Sequence, residues 1–267
     1  MKINEYFYRL KGEDDFVTKN HMHNEIEMIH VISGSGTVLK DDRLYLLQDQ
    51  FLYIIDSRKP HIVNPSACDD YIRNKIVVDA DSFFATCKIL GLESIAQKIL
   101  TLPPISTDSL PEIDQLFKKI TASCSNASSE GNGFACGYLI ELIQLVTSAE
   151  KTKQETRSTA PIIRDALDLI MKKNGMTTLS EISAELHISK YYLCHLFKEE
   201  IGITLSEYLA EKRFETCVFY LTETYEPLEK IAILCGFSGA PSLTRFFKRK
   251  SGICPKDYRK QNSKLII

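Results

Sequence analysis

The sequence predicts an α+β chain of two domains. The first is a β-barrel with trailing helices, and the second is all-α, with two helix-turn-helix units joined by a long helix. Three observations predict this. Short apolar strands separated by turn residues crowd residues 1–80. A polar stretch without apolar periodicity, Glu150 to Ala160, reads as a linker between residues 1–149 and 161–267. Beyond it, the segment Thr178 to Tyr258 carries one pattern twice.

In the first domain, Ile29 to Ile32, Thr37 to Leu39, Leu44 to Leu47, Phe51 to Ile55 and Tyr71 to Val78 are apolar or β-branched runs of strand length. Gly34-Ser35-Gly36 and Lys40-Asp41-Asp42-Arg43 supply turns between them. Several short strands with regular turns predict a sandwich or small barrel. Helices follow over Phe83 to Leu92 and Ile95 to Leu102, where Pro103-Pro104 ends the second. Pro111 opens another, to about Ala122, and the Ser, Asn and Gly content of Thr121 to Gly133 predicts a loop. The helix from Phe134 to Ala149 has Glu141 and Gln144 as its strongly polar positions before the end. Its narrow polar stripe leaves a broad apolar surface, expected to pack on the barrel and to meet a second subunit in a homodimer, the alternative being complete burial within the monomer.

The second domain opens with a helix from Pro161, apolar at Ile163, Leu167 and Ile170, ending at Asn174-Gly175. The repeat then begins. Leu179, Ile182, Leu186 and Ser189 recur as Leu228, Ile231, Cys235 and Ser238, 49 residues on. Leu193, Phe197, Gly202, Ile203 and Tyr208 recur as Leu243, Phe247, Gly252, Ile253 and Tyr258, 50 residues on. Each copy predicts a short helix, a tight turn and a second helix. Thr178-x-x-Glu181 is a capping box, His187-Ile188 the turn and Ser189 the cap of the next helix. In the second copy Pro227 stands in a first turn, Gly236-Phe237 makes the turn and Ser238 is the expected cap. Between the copies, Thr204-x-x-Glu207 caps a helix of about 18 residues, roughly 27 Å long. Such a rod suits two recognition helices entering major-groove segments about 34 Å apart.

Charge is unevenly placed. Residues 1–160 carry 17 basic and 22 acidic side chains, a balance of −5; residues 161–267 carry 16 and 13, a balance of +3. Residues 241–267 alone have 8 basic and 1 acidic, which points to a polyanion at that end. The eight cysteines stand singly, without C-x-x-C or metal-finger spacing, and are expected as reduced thiols in the cytosol. No signal-peptide core opens the chain, and the apolar run from Tyr138 to Val146 is too short to span a bilayer.

Ile231-Ala232, Gly236-Phe237-Ser238, Phe247-Lys248, Gly252 and Pro255-x-x-Tyr258-Arg259 resemble the second half of the DNA-binding domain of AraC/XylS-type transcription regulators. The resemblance spans about a hundred residues, Pro161 to Lys260, and departs at Gly239, Ala240, Pro241 and Ser242, where the family shows longer polar or aromatic residues. It implies double-stranded DNA as partner, and RNA polymerase by family analogy. It puts Tyr191, Cys194, His195, Ala240, Ser242 and Arg245 nearest the bases. Lys190 and Gly239 share the exposed faces, and Ser189 and Ser238 complete the set. A guanidinium pairs bidentately with guanine, so Arg245 is the strongest base reader. Lys198, Lys248, Arg249 and Arg259 are expected on phosphate.

The first domain carries His21-x-His23-x3-Glu27-x6-Gly34 and Pro60-His61-x2-Asn64, a spacing that resembles the cupin barrel. His21, His23 and Glu27 share strand parity, and His61 can close the set. Three imidazoles and a carboxylate suit a divalent ion, and a metal-dependent cupin enzyme is the alternative reading. A third is a ligand-independent architectural DNA binder. The leading reading assigns no metal, no cofactor and no turnover. His21, His23, Glu25, Glu27 and His61 bind a small-molecule effector in the barrel, and the chain regulates transcription, more often as an activator.

Overall fold

The structure, a computed structural model, describes residues 1–11, 23–66, 71–125, 129–149 and 161–262. The chain divides between Thr159 and Ala160 into two compact units. The expected linker and His21 lie outside the described residues.

The first unit runs β1 (Ile3–Lys11), β2 (Glu25–Ser33), β3 (Gly36–Lys40), β4 (Arg43–Leu47), β5 (Phe51–Asp56), β6 (Ile62–Pro65) and β7 (Ile72–Asp79). Then come α1 (Ala80–Ile89), α2 (Glu93–Thr101), β8 (Ile105–Ser106), α3 (Glu112–Ser125) and α4 (Ser129–Ser148). The strands pair antiparallel in two sheets, β1-β7-β2-β5-β8 and β4-β3-β6. Among the described residues no ladder joins these sheets into one closed barrel, which corrects the barrel expectation. The strand pattern alone does not separate the two outcomes, because sandwich and barrel both bury alternate residues on an inner face. The pattern also missed β1, β6 and β8. Proline is tolerated at the end of β6 because that strand is an edge.

Alternation along β2 feeds two cores. Ile26 and Met28 join Leu52, Ile54, Ile76 and Val78 under Phe83, Ile99, Phe117 and Leu139 of the helices. Ile29 and Val31 face the other way, against Val38, Tyr45, Leu47, Tyr53, Ile55 and Val63, so the two sheets pack face to face. Each fully buried Leu, Ile or Phe contributes about 1.5–3 kcal/mol.

The loop expected over Thr121 to Gly133 is helical up to Ser125 and again from Ser129. Thr121 and Ser125 donate their hydroxyls to the carbonyls four residues earlier, so polar composition here continues a helix. In α4, Ala135, Leu139, Leu142, Ile143 and Val146 are buried in this unit's own core. The broad apolar surface is therefore largely consumed within the subunit. Phe134 (64% exposed), Gly137, Glu141, Gln144 and Ser148 remain as an outward row.

The second unit is all helical: α5 (Pro161–Lys172), α6 (Leu179–Glu185), α7 (Lys190–Ile201), α8 (Leu205–Glu223), α9 (Leu228–Leu234), α10 (Ala240–Ser251) and α11 (Pro255–Asn262). Both capping boxes read from the sequence are formed, at Thr178/Glu181 and Thr204/Glu207. Phe197 meets Tyr208 at 5.5 Å between ring centroids, and the repeat-equivalent Phe247 meets Tyr258 at 5.1 Å. Phe247 also packs on Phe214 at 4.9 Å, within a core of Cys217, Leu221, Ile231, Ala232, Cys235 and Leu243. The two turns place equivalent residues, His187 (φ 55°) and Gly236 (φ 73°), in the left-handed region.

Candidate functional site

In the first helix-turn-helix, Leu193, Phe197 and Ile201 fix one face of α7 in the core. Lys190, Tyr191, His195 and Lys198 are exposed on the rest, Tyr191 by 83%, and Cys194 is half-buried. His195 faces Glu199 at 3.6 Å. The Ser189 hydroxyl accepts from the Tyr192 backbone N–H at 3.1 Å, so this serine caps the helix as expected. Tyr192, 48% exposed, was missed. The 50-residue offset that aligns it with Ser242 is the signal that finds it.

In the second unit, Leu243 and Phe247 are buried, and Arg245, Lys248 and Arg249 are exposed. The Arg249 guanidinium stands 5.9 Å from the centre of the Phe246 ring. The last turn of α10 gathers Lys248, Arg249 and Lys250, the sign that favours a helix C-terminus. Ser238 is not the cap. The cap position is Gly239, and Ser238 donates to the Ser242 hydroxyl, which donates to the Gly239 carbonyl at 2.8 Å. Pro241 falls in the first turn, so it removes no helical hydrogen bond. The Ala240 N–H donates instead to Glu229 Oε2 of α9 at 3.1 Å. Arg259, expected on phosphate, is turned inward. Its guanidinium donates to the Leu221 carbonyl at 3.2 Å and the Glu226 carbonyl at 2.6 Å, tying down the end of α8.

A second cluster sits in the first unit, on the β2 face that carries Ile29. Glu27 is buried opposite Ile55 and Val77. His23 Nε2 lies 3.1 Å from Glu27 Oε1, and His23 Nδ1 lies 2.6 Å from Glu25. His61 Nδ1–H donates to the Lys59 carbonyl at 3.1 Å, since a carbonyl only accepts. Its Nε2 faces Glu27 at 4.0 Å. Lys75 adds its ammonium at 3.0 Å from Glu27 Oε1. Burial alone would raise the Glu27 carboxyl. The His23 hydrogen bond and the Lys75 and His61 charges override it and hold the group at about 2. The ionised form thus stabilises the fold above the ordinary carboxylate range, and that contribution is lost as pH falls from about 4.5 towards about 2.

His23, Glu27 and His61 present ligand atoms within 4.8 Å of one another, a set able to hold a divalent ion. Lys75 was missed, because its place depends on strand register, which parity alone does not fix. Its ammonium already supplies Glu27 with the positive charge that a metal would bring. Of the sequence-predicted set, the structure brings together His23, Glu25, Glu27 and His61.

Residues 182–261 match the model of a family described as a helix-turn-helix domain. The chain is 25% identical over 256 residues to the uncharacterized HTH-type transcriptional regulator YdiP of Escherichia coli (strain K12), covering 91% of this chain and 81% of that one. It is 21% identical over 252 residues to the HTH-type transcriptional activator RhaR of Cronobacter sakazakii, covering 92% and 88%. Among solved structures, the C-terminal domain of AraT, a response regulator from Geobacillus stearothermophilus, aligns with 28% identity and a TM-score of 0.38, over 40% of this chain and 90% of that one. Among the described residues no helix is long and apolar enough to cross a membrane. With a repeated helix-turn-helix, a matching helix-turn-helix family model over the repeat and HTH-type transcriptional regulators as relatives along its length, the chain is similar to the DNA-binding transcription regulators of the AraC/XylS type.

Proposed function

We propose that each subunit reads one DNA half-site with α7 and α10, and that a small polar molecule bound at the Glu27 cluster controls the outcome. The carrying observation is the pair of exposed faces: Tyr191 and His195 on one recognition helix, Arg245 on the other. Arg245 reads guanine O6 and N7, while Lys198, Lys248 and Arg249 hold phosphates. The cupin-like reading of the first unit remains part of this proposal, supported by the two sheets packed around Glu27. An organic effector is favoured over a metal-dependent reaction because Lys75 already pairs with Glu27. Imidazole, carboxylate and ammonium together offer donors and acceptors to a polar ligand. The exposed row of α4 is the proposed homodimer contact. Activation follows from the similarity to the transcriptional activator RhaR, and RNA polymerase as its partner follows by family analogy alone.

Selection from randomised duplex DNA with the full chain tests the first half of this reading. A two-part motif is expected, and failure to enrich any motif overturns it. For the second half, a ligand that raises the melting temperature of the natural chain should lose that effect in the His23→Ala, Glu27→Ala double variant, with DNA affinity retained. An unchanged ligand shift in that variant removes the cluster from the effector site.

A further inference from the structure

The two recognition helices begin differently. In α7 a neutral hydroxyl, Ser189, closes the first turn, and Lys190 follows it. In α10 no side chain of the turn acts as cap. A carboxylate reaches across from the preceding helix, where Glu229 Oε2 accepts from the Ala240 N–H at 3.1 Å. Glu229 Oε1 lies 3.4 Å from where a Cβ on Gly239 would stand, so the glycine leaves room for the carboxylate to close in. The repeat-equivalent of Glu229 in the first unit is Ser180, which carries no charge. The first helix of the second unit, α9, also lacks the capping box of α6. Pro227 stands at its N-cap, and Lys230 occupies the N3 position that Glu181 holds in α6.

A helix N-terminus attracts anions through its partial positive charge and unpaired N–H groups. In a helix-turn-helix docked on DNA, the nearest external anion is a backbone phosphate. From this geometry we infer that Glu229 is a specificity-determining positioning residue. It fixes the start of α10 and fills with an internal anion the place a phosphate would take. The second unit then holds the DNA backbone through Lys248 and Arg249 at the far end of α10, where Lys250 is paired with Glu211, and depends more on Arg245 for affinity. The first unit keeps an open, uncharged start and engages phosphate there with Lys190. This inference rests on the proposal that α7 and α10 face DNA.

The test uses the full chain and random-sequence duplex DNA over a range of salt. Glu229→Gln keeps the acceptor for Ala240 and removes the charge. It should bind random duplex about two- to five-fold tighter, the range a charge at a helix end commands. Its log affinity should fall more steeply with log salt, by about 0.9 for one added phosphate. Glu229→Asp keeps the charge on a shorter arm and should bind random duplex as the natural chain does. Ser180→Glu, which brings the charge to the first unit, should weaken random-duplex binding. If Glu229→Gln leaves affinity and salt slope unchanged, or if Asp behaves as Gln does, the inference is overturned. Lys190→Ala and Lys248→Ala separate the two failures. If they weaken binding while Glu229→Gln is silent, only the inference on Glu229 falls; if all three are silent, the DNA-facing assignment falls with it.

Discussion

The two helix-turn-helix units solve one geometric problem with different chemistry. At the tight turn the first uses His187 and the second Gly236, both with positive φ. At the first helix, one has a complete capping box and the other a proline without a side-chain cap. At the recognition helix, one is capped by its own Ser189 and the other by Glu229 of the helix before it. The apolar skeleton survives all three exchanges, as Phe197 on Tyr208 and Phe247 on Tyr258 demonstrate. Packing therefore sets the fold of each unit, and the polar punctuation is replaceable provided each helix end finds a partner.

The largest contrast is expected in the cores. Phe197→Ala and Phe247→Ala should each cost about 3–5 kcal/mol in urea unfolding. Phe247 should cost more, because it packs on both Phe214 and Tyr258. An equal or larger loss at Phe197 would break the picture of a heavier second core. Next comes Arg245, the proposed base reader. Arg245→Ala should lose about 1–3 kcal/mol of DNA affinity and relax preference at one base pair. A motif from randomised DNA that is identical in Arg245→Ala would make this arginine a backbone clamp.

The turns should respond with opposite signs. A side chain in left-handed conformation costs on the order of 1 kcal/mol, a cost that glycine escapes. Gly236→Ala should therefore destabilise by about 1 kcal/mol, and His187→Gly should be neutral or stabilising by a smaller amount. A lowered melting temperature in His187→Gly would mean that the imidazole makes a contact worth more than its strain. The smallest effect is assigned to Lys248→Ala. It should weaken binding to all sequences alike and reduce the salt slope by about 0.9. Sequence-selective loss in a salt titration would move Lys248 from phosphate to base.

The repeat was legible because buried apolar residues recur at helical spacing whatever surrounds them, as Leu193/Leu243 and Phe197/Phe247 do. The capping boxes were legible because they are local, with both partners within four residues. Contacts that jump between elements were not. Glu229 capping α10 and Arg259 binding the carbonyls of Leu221 and Glu226 join residues separated by 11 to 38 positions. Either residue, read alone, is a surface charge. Sheet pairing was not legible for the same reason: apolar alternation in β2 to β5 identifies strands but not their neighbours. The apolar surface of α4 was expected to meet a second subunit, yet Leu142 on it is core, because the apolar width of the helix matches neighbours in its own unit as well as one outside it. The His23, Glu27 and His61 grouping was foreshadowed by parity and spacing, whereas Lys75 required the register that sets it beside Ile29.

The unbroken helix α8, 19 residues capped at its start by Thr204 and Glu207, makes the spacing between the two proposed recognition helices a matter of phase. Each residue inserted into it would advance the second reader by about 1.5 Å and swing it by about 100°. A single insertion would thus aim α10 away from the duplex, whereas four residues would nearly restore its azimuth and shift it by roughly 6 Å, about two base-pair steps. Spacing variants of the binding site should accordingly match insertions in α8 discontinuously, with a footprint recovered for a four-residue insertion and lost for one or two.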